Sequence, residues 1–418
     1  MISTSETADL LIVGAGAAGL ATAIFTARAA PHARVRCIDG ARRIGAKILV
    51  SGGSRCNVTN REVSERDFWG SSPRAIRGVL RAFPARDAAR FFESLGVALH
   101  EEEDGKLFPD SHSSRTVLAA LLGEAERLGV EIISGRRVLA IDRERDRFVV
   151  AADGMRVSAR TIVLATGGRS LPKTGSDGFG YQLAAQFGHR CVDTTPALAP
   201  LILEDGPHAQ LSGISHRVVL TVRGTRLEGA LLWTHFGISG PVALNASRHW
   251  HRARLEGEPV DLMLNVCPGE TFESLEAWLL ELARTRPKAR LVTGLGDRLP
   301  AAVASAWLEK TGIDPETTPA HLSRGHRRAL VHALLETRLV VRDSRGYNYA
   351  EVTAGGIALD EIETGRMESK RCPGLFLVGE IVDVDGRLGG FNFQWAWSSA
   401  WVAAQAIARA VPGPVPPR

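Results

Sequence analysis

Three glycines, Gly14, Gly16 and Gly19, stand in GxGxxG spacing between an apolar run (DLLIV) and an Ala-rich stretch, and Asp39 follows 20 residues after Gly19. That spacing suits phosphate chemistry. The first glycine permits a tight turn, the second lets a pyrophosphate approach the backbone, and the third lets helix and strand pack closely. Gly14, Ala15, Gly16, Ala17, Ala18 and Gly19 are therefore expected to form a loop whose free N–H groups, at the positive end of a helix, receive phosphate. Asp39, with Gly40 behind it, is placed to accept hydrogen bonds from the ribose hydroxyls of an adenosine. A glycine turn without a ligand is the competing reading.

The loop alone does not separate FAD from NAD. Two further signatures favour FAD. Val163 to Gly168 (VLATGG) reads as a strand ending in a glycine turn, which nominates Thr166, Gly167 and Gly168. Gly374 to Gly390 (GLFLVGEIVDVDGRLGG) reads as a second such strand, which nominates Gly379, Glu380, Asp385, Gly389 and Gly390, with Asn392 just beyond. One site assembled from both ends of a chain is expected when FAD lies extended across a sheet. Asp385 would then bind ribityl or ribose hydroxyls, and a helix start beyond Gly390 would stabilise negative charge on a reduced flavin; a plain turn carboxylate in a DG pair is the alternative.

Gly45 to Asn60 (GAKILVSGGSRCNVTN) is dense in glycine, hydroxyl, amide and cationic groups and reads as a ligand loop containing Gly52. Lys47 and Arg55 are candidates to neutralise phosphate or reduced-flavin charge, and Asn57 to hydrogen-bond the ring or its side chain. Cys56 is a candidate proton donor, weighed against a structural thiol.

The elements that must position these residues follow from apolar patterning. Residues 9 to 39 form a βαβ unit, with the helix stopped before Pro31, and Ala85 to Leu95 and Ser114 to Leu128 read as helices. Short β runs fill 130 to 165. Residues 196 to 265 turn β-rich, with HRVVLTVRG and VDLMLNV the clearest strands, and 272 to 337 turn helical, with Leu275, Trp278, Leu279 and Leu282 on one stripe. The chain then returns through GLFLVGE and ends in a helix over QWAWSSAWVAAQAIARA. The expected organisation is an α/β FAD-binding domain over 1–195, an inserted β-rich subdomain over 196–270, an inserted helical subdomain over 271–340, and a return through both domains over 341–418. The two ends, residues 1 to 8 and 412 to 417, read as loose.

Bulk properties narrow the rest. The chain has 418 residues, 44% hydrophobic and 23% charged, and no long apolar run, so a soluble cytoplasmic protein without membrane attachment is expected. Its five cysteines are scattered and show no metal-ligand spacing, so no metal site is expected. The net charge of +5 is carried by 45 Arg against 6 Lys. Arg74, Arg77 and Arg81 share a helical face, with Arg86 and Arg90 nearby, and residues 281 to 330 are also basic. A solvated arginine face is the plainer reading and a nucleic-acid footprint the other.

Together GAKILVSGGSRCNVTN, LLWTHFGISGP (231 to 241), VTAGGIALDEI (352 to 362) and GEIVDVDGRLGGFNFQWAWSSA (379 to 400) make the chain similar, over almost its whole length, to the BaiN/RdsA-type FAD-dependent oxidoreductases, which include aminoacetone oxidase-like proteins. The resemblance implies a two-dinucleotide-binding, Rossmann-like FAD domain from both chain ends, with β-barrel-like and helical insertions. It implies FAD contacts at Gly14 to Gly19, Asp39, Lys47, Gly52, Arg55, Asn57, Thr166, Gly167, Glu380, Asp385, Gly390 and Asn392, and a backbone contact from Val138 to adenine. Two departures stand out. Ser54 occupies the third glycine of the family's SGGGRCN, which predicts mild strain if that position needs a positive φ, and Arg387-Leu388 lies where relatives vary. His235, in the WTHFG turn, is a candidate general acid or base, weighed against a histidine that satisfies turn backbone groups. Trp233 and Phe236 beside it read as core rather than as substrate-stacking groups.

Hydride transfer at flavin N5 is the expected reaction. No second nucleotide motif is present, so NADH or NADPH would visit only transiently as donor. Three functions stay open: oxidation of an amine or reduction of an activated C=C bond in a small molecule, reduction of uridine in ribosomal RNA, and a flavin-bound interaction protein without turnover. Oligomeric state is not readable from the sequence.

Overall fold

Five stretches rich in aliphatic side chains form the parallel part of a nine-stranded sheet: Glu6–Val13 (β1), Val35–Asp39 (β2), Glu131–Ser134 (β3), Met155–Leu164 (β4) and Leu375–Leu377 (β5). In the computed structural model, which describes residues 6–204 and 206–411, they lie in the order β5-β4-β1-β2-β3. Leu10, Leu11 and Ile12 of β1 are fully buried, as are Ile162, Val163 and Leu164 of β4, as expected of strands covered on both faces. The loose ends expected at 1 to 8 and 412 to 417 fall largely outside the described residues.

β4 pairs with β1 along one edge and has two partners along the other. Its first half pairs antiparallel with Arg147–Ala152, and its second half pairs parallel with β5. The last part of the chain therefore completes a sheet begun by the first. Helix α1 (Ala17–Ala29) is buried from Ala18 through Ala27 and packs on the closing helix α2 (Phe391–Ala410). Alanines bring the two axes close, and Phe25, Phe83, Phe91 and Trp401 fill the adjoining space with ring centroids 4.8–5.2 Å apart. Two buried tryptophans of α2 place their indole N–H groups on carbonyls, Trp395 on Gly379 (3.1 Å) and Trp397 on Val58 (2.9 Å).

The chain forms two units, one made of Met1–Thr194 with Glu351–Arg418 and the other of Thr195–Ala350. The second unit holds a seven-stranded sheet whose paired strands all run antiparallel, from Thr337–Leu339 at one end to Val341–Ser344 at the other. The β-rich and helical stretches share one core, in which Val218, Leu220 and Leu264 from the sheet cluster with Leu279, Trp307 and Leu330 from the helices. The return strand Val341–Ser344 pairs with Leu201–Leu203, which assigns 341–350 to this unit. The strands form an open path with no pairing between its two ends, so no closed barrel is present among the described residues. No helix among the described residues is long and apolar enough to cross a membrane.

Candidate cofactor and active site

The nominated glycine segments follow the carboxyl ends of parallel strands, where open α/β sheets place their ligands. Gly14 follows β1 at φ +103°, and a Cβ there would lie 2.4 Å from the Ala165 carbonyl oxygen. At Gly19 a Cβ would sit 1.8 Å from the Gly14 carbonyl oxygen, so α1 reaches its strand only without a side chain. Gly16 is different in kind. Its φ of −78° suits any residue, and a Cβ built on it meets no heavy atom within 4 Å. Gly16 is also the N-cap of α1, with no side-chain cap and no acidic residue in the first turn. An open approach to the first N–H groups of a helix, at its positive end, is suited to an anion.

Asp39 closes the adjoining side. Its Oδ2 accepts from the Ala15 N–H and its Oδ1 from the Ala41 N–H, both at 2.7 Å, which fixes the carboxylate at the end of β2. The Arg136 N–H donates to the Asp39 carbonyl (2.9 Å), and Gly40 lies against Arg137, so the GRR turn runs alongside the aspartate. Val138 is buried at the start of Val138–Glu144.

After β4, Thr166, Gly167 and Gly168 turn away, with Gly167 at φ +71°. Ser176 faces this turn. Its buried Oγ has no hydrogen-bond partner and lies 2.6 Å from where a Gly167 Cβ would stand. A buried hydroxyl left unpaired costs about 1–3 kcal/mol, which a ligand oxygen at this place would remove. The open space at Gly16 and this unpaired hydroxyl fit a dinucleotide phosphate chain.

Beyond β5 the geometry is set by a polar cluster. Glu380 accepts from Lys47 Nζ (2.5 Å), Ser170 Oγ (2.8 Å) and the Thr353 N–H (3.0 Å), and Lys47 also donates to Ser170 Oγ (2.7 Å). The Thr353 hydroxyl oxygen accepts from the Arg169 and Ser170 N–H groups. Lys47 was expected to present its charge to phosphate or flavin; in the structure that charge is matched by Glu380. Gly168 belongs to the same contact, since a Cβ there would lie 2.4 Å from Thr353 Oγ1. Gly379, at φ +73°, would place a Cβ 2.7 Å from the Ala18 side chain, so the end of β5 rests on the phosphate loop.

Asp385 is buried on Val384–Gly386, which pairs with Phe68–Gly70. Asn392 closes the turn below it, accepting from the Gly386 N–H (2.8 Å) and donating to the Gly386 carbonyl (2.9 Å). The buried Asn57 amide donates to the Thr59 carbonyl (2.7 Å) and accepts from the Gly390 N–H (3.0 Å). Asn57 and Asn392 thus have protein partners at the positions where ring contacts were expected. Gly389 and Gly390 take φ of +132° and +89°, and a Cβ at Gly390 would meet the Thr59 backbone at 2.5 Å.

The segment read as a ligand loop begins as a helix at Ala46 and breaks at Ser51, Gly52 and Gly53. Ser54 follows at φ +68°, the strained conformation its replacement of glycine predicted, and Cys56 at φ +64°. Cys56 is fully buried, and burial pushes its thiol up to about 12, so in this conformation it is a packing group without a solvent-facing proton to give. Arg55 pairs with Glu102 (2.5 Å) and lies 4.2 Å from the centre of the Phe108 ring.

In the second unit, His235 is exposed at the turn between Thr225–Thr234 and Gly237–Ser239, its ring against the half-buried Phe236. Trp233 is fully buried, with its indole N–H on His216, and belongs to the core as expected.

A family model described as "HI0933-like protein Rossmann domain" matches residues 8–406. The chain is 35% identical over 404 residues to a ribosomal RNA dihydrouridine synthase of Escherichia coli (strain K12), covering 96% of this chain and 98% of that protein. It is 33% identical over 403 residues to a 3-dehydro-bile acid delta(4,6)-reductase of Clostridium scindens, covering 95% and 98%. Among solved structures, E. coli quinol fumarate reductase FrdA is similar in fold, with a TM-score of 0.51 and 17% identity over 98% of this chain and 71% of that one.

Proposed function

The chain belongs to the HI0933-like Rossmann-domain family of flavin-dependent oxidoreductases, and on that premise we propose that it reduces a carbon–carbon double bond conjugated to a carbonyl group. The observation that carries this reading is a shared bond change in the names of the two relatives. A dihydrouridine differs from uridine by a saturated ring bond next to a carbonyl, and a delta(4,6)-reductase acts on ring double bonds. FAD, when bound, supplies a hydride at N5, with NADH or NADPH as the transient donor.

The chain's own residues hold and orient. Gly14–Gly19 and the start of α1 receive the pyrophosphate, Asp39 the adenosine ribose, and Ser176 a phosphate or ribityl oxygen. The Lys47–Glu380 pair and the hydroxyls of Ser170 and Thr353 fix the turn after β5, and the positive end of α2 at its first turn would stabilise negative charge on a reduced flavin. Anaerobic mixing with NADPH and then with a small enone tests the reading. Bleaching by the nucleotide and return of the oxidised spectrum with the enone are expected; a flavin that no nicotinamide reduces would remove it.

A second reading makes the acceptor a uridine of ribosomal RNA. Arg74 and Arg81 support it: both are exposed on helix Pro73–Ala82 and have no ion-pair partner among the described residues. Arg77 on the same helix pairs with Glu65. Changing Arg74 and Arg81 to Glu should then abolish RNA modification and leave NAD(P)H-driven bleaching intact; undiminished dihydrouridine in RNA would end this reading.

A further inference from the structure

In the first unit, the hairpin formed by Leu99–Glu102 and Lys106–Pro109 gathers side chains that the reductase reading does not use. We propose that His100, Glu102 and His112 bind a divalent cation of the zinc class, with Asp110 orienting His100. His100 and Glu102 are two residues apart on one strand, so their side chains share a face. His100 Nδ1 lies 3.0 Å from Asp110 Oδ1. A carboxylate only accepts, so Nδ1 is the donor to Asp110, which orients the ring and turns Nε2 to the opposite side.

That Nε2 faces Glu102 Oε1 at 3.4 Å. Nε2 and Oε1 are both ligand atoms for a metal ion, and two ligands held about 2.1 Å from a tetrahedral centre stand about 3.4 Å apart. His112 supplies the third ligand. One ligand atom from each of the three residues falls within 4.8 Å of the others, and the two imidazole centroids are 4.7 Å apart. His112 is set by a tight turn, at φ +50° with its N–H on the Pro109 carbonyl (2.8 Å). Two histidines and one carboxylate, with a further carboxylate behind one histidine, make a zinc donor set with a fourth position left for water. Arg55 donates to the same Glu102 Oε1, so a cation competes with Arg55 for that oxygen and leaves its guanidinium to the Phe108 ring.

The test uses the purified flavin-loaded protein, stripped with a chelator and titrated with Co2+, whose four-coordinate complexes absorb to the red of flavin. One Co2+ per chain, with those bands present and displaced by Zn2+, is the expected result. His112→Ala alters an exposed side chain, so it should fold and lose the bands, as should His100→Ala. Asp110→Asn should weaken binding about 10–100-fold. His32→Ala, an exposed histidine elsewhere in the same unit, should change nothing. Absence of saturable Co2+ binding, a six-coordinate spectrum, or equal affinity in the His100→Ala and His112→Ala variants and the unaltered protein would each overturn the assignment.

Discussion

The glycine loop at Gly14–Gly19 and the segment Gly45–Asn60 are both glycine-rich, yet they use glycine for opposite ends. In the first, Gly14 and Gly19 let backbones touch, while Gly16 holds space open: a Cβ there meets nothing within 4 Å. In the second, side chains fill what the backbone leaves. Lys47 is matched by Glu380, Arg55 by Glu102, Asn57 by Thr59 and Gly390, and Cys56 is buried. Ligand capacity in the first comes from absent atoms, and in the second rigidity comes from satisfied ones.

The largest expected effect separates the two uses of glycine within the first loop. Gly19→Val should prevent folding, because its Cβ would overlap the Gly14 carbonyl oxygen; soluble expression and circular dichroism report it, and a native-like variant would break the packing argument. Next, Gly16→Val should give a folded chain, as thermally stable as wild type stripped of its flavin, that purifies without yellow colour. Stoichiometric flavin in that variant would mean that the open space is not the pyrophosphate site. In the second loop, Lys47→Met should destabilise by about 1–3 kcal/mol in urea unfolding, since it leaves Glu380 partly buried without its cation. Stability equal to wild type would show that the pair is held for the ligand and not for the fold. Ser54→Gly should stabilise by about 1 kcal/mol, because φ +68° suits glycine. The smallest effect is a null one: Cys56 should resist a thiol reagent at pH 8 while the exposed Cys191 reacts, as mass spectrometry of the native protein would show.

Legibility in the sequence followed distance along the chain. The βαβ unit, the turn at Gly14 and the close packing at Gly19 are local, encoded within some thirty residues, and the structure places them as spacing predicted. The positive φ at Ser54 was readable for the same reason. Ser170, Ser176 and Thr353 were missed, because a lone hydroxyl carries no motif and only the fold brings Thr353 to Ser170. The Lys47–Glu380 pair joins positions 333 residues apart, so charge alone suggested a ligand where the structure shows a partner. In the inserted region the change from β to helical patterning was legible but the shared core was not, since Leu264 and Leu330 meet only because hydrophobic burial recruits whatever apolar faces are near. His100, Glu102 and His112 match no zinc spacing and meet only through a hairpin and the turn after it.

The pairing of β5 with β4 has a consequence for biosynthesis. Residues 375–377 emerge from the ribosome more than two hundred residues after β4, so throughout the intervening synthesis the carboxyl half of β4 presents an unpaired, aliphatic edge. A nascent chain at that stage is a substrate for chaperones. A message broken before codon 375 would yield an aggregation-prone product rather than a weakened enzyme.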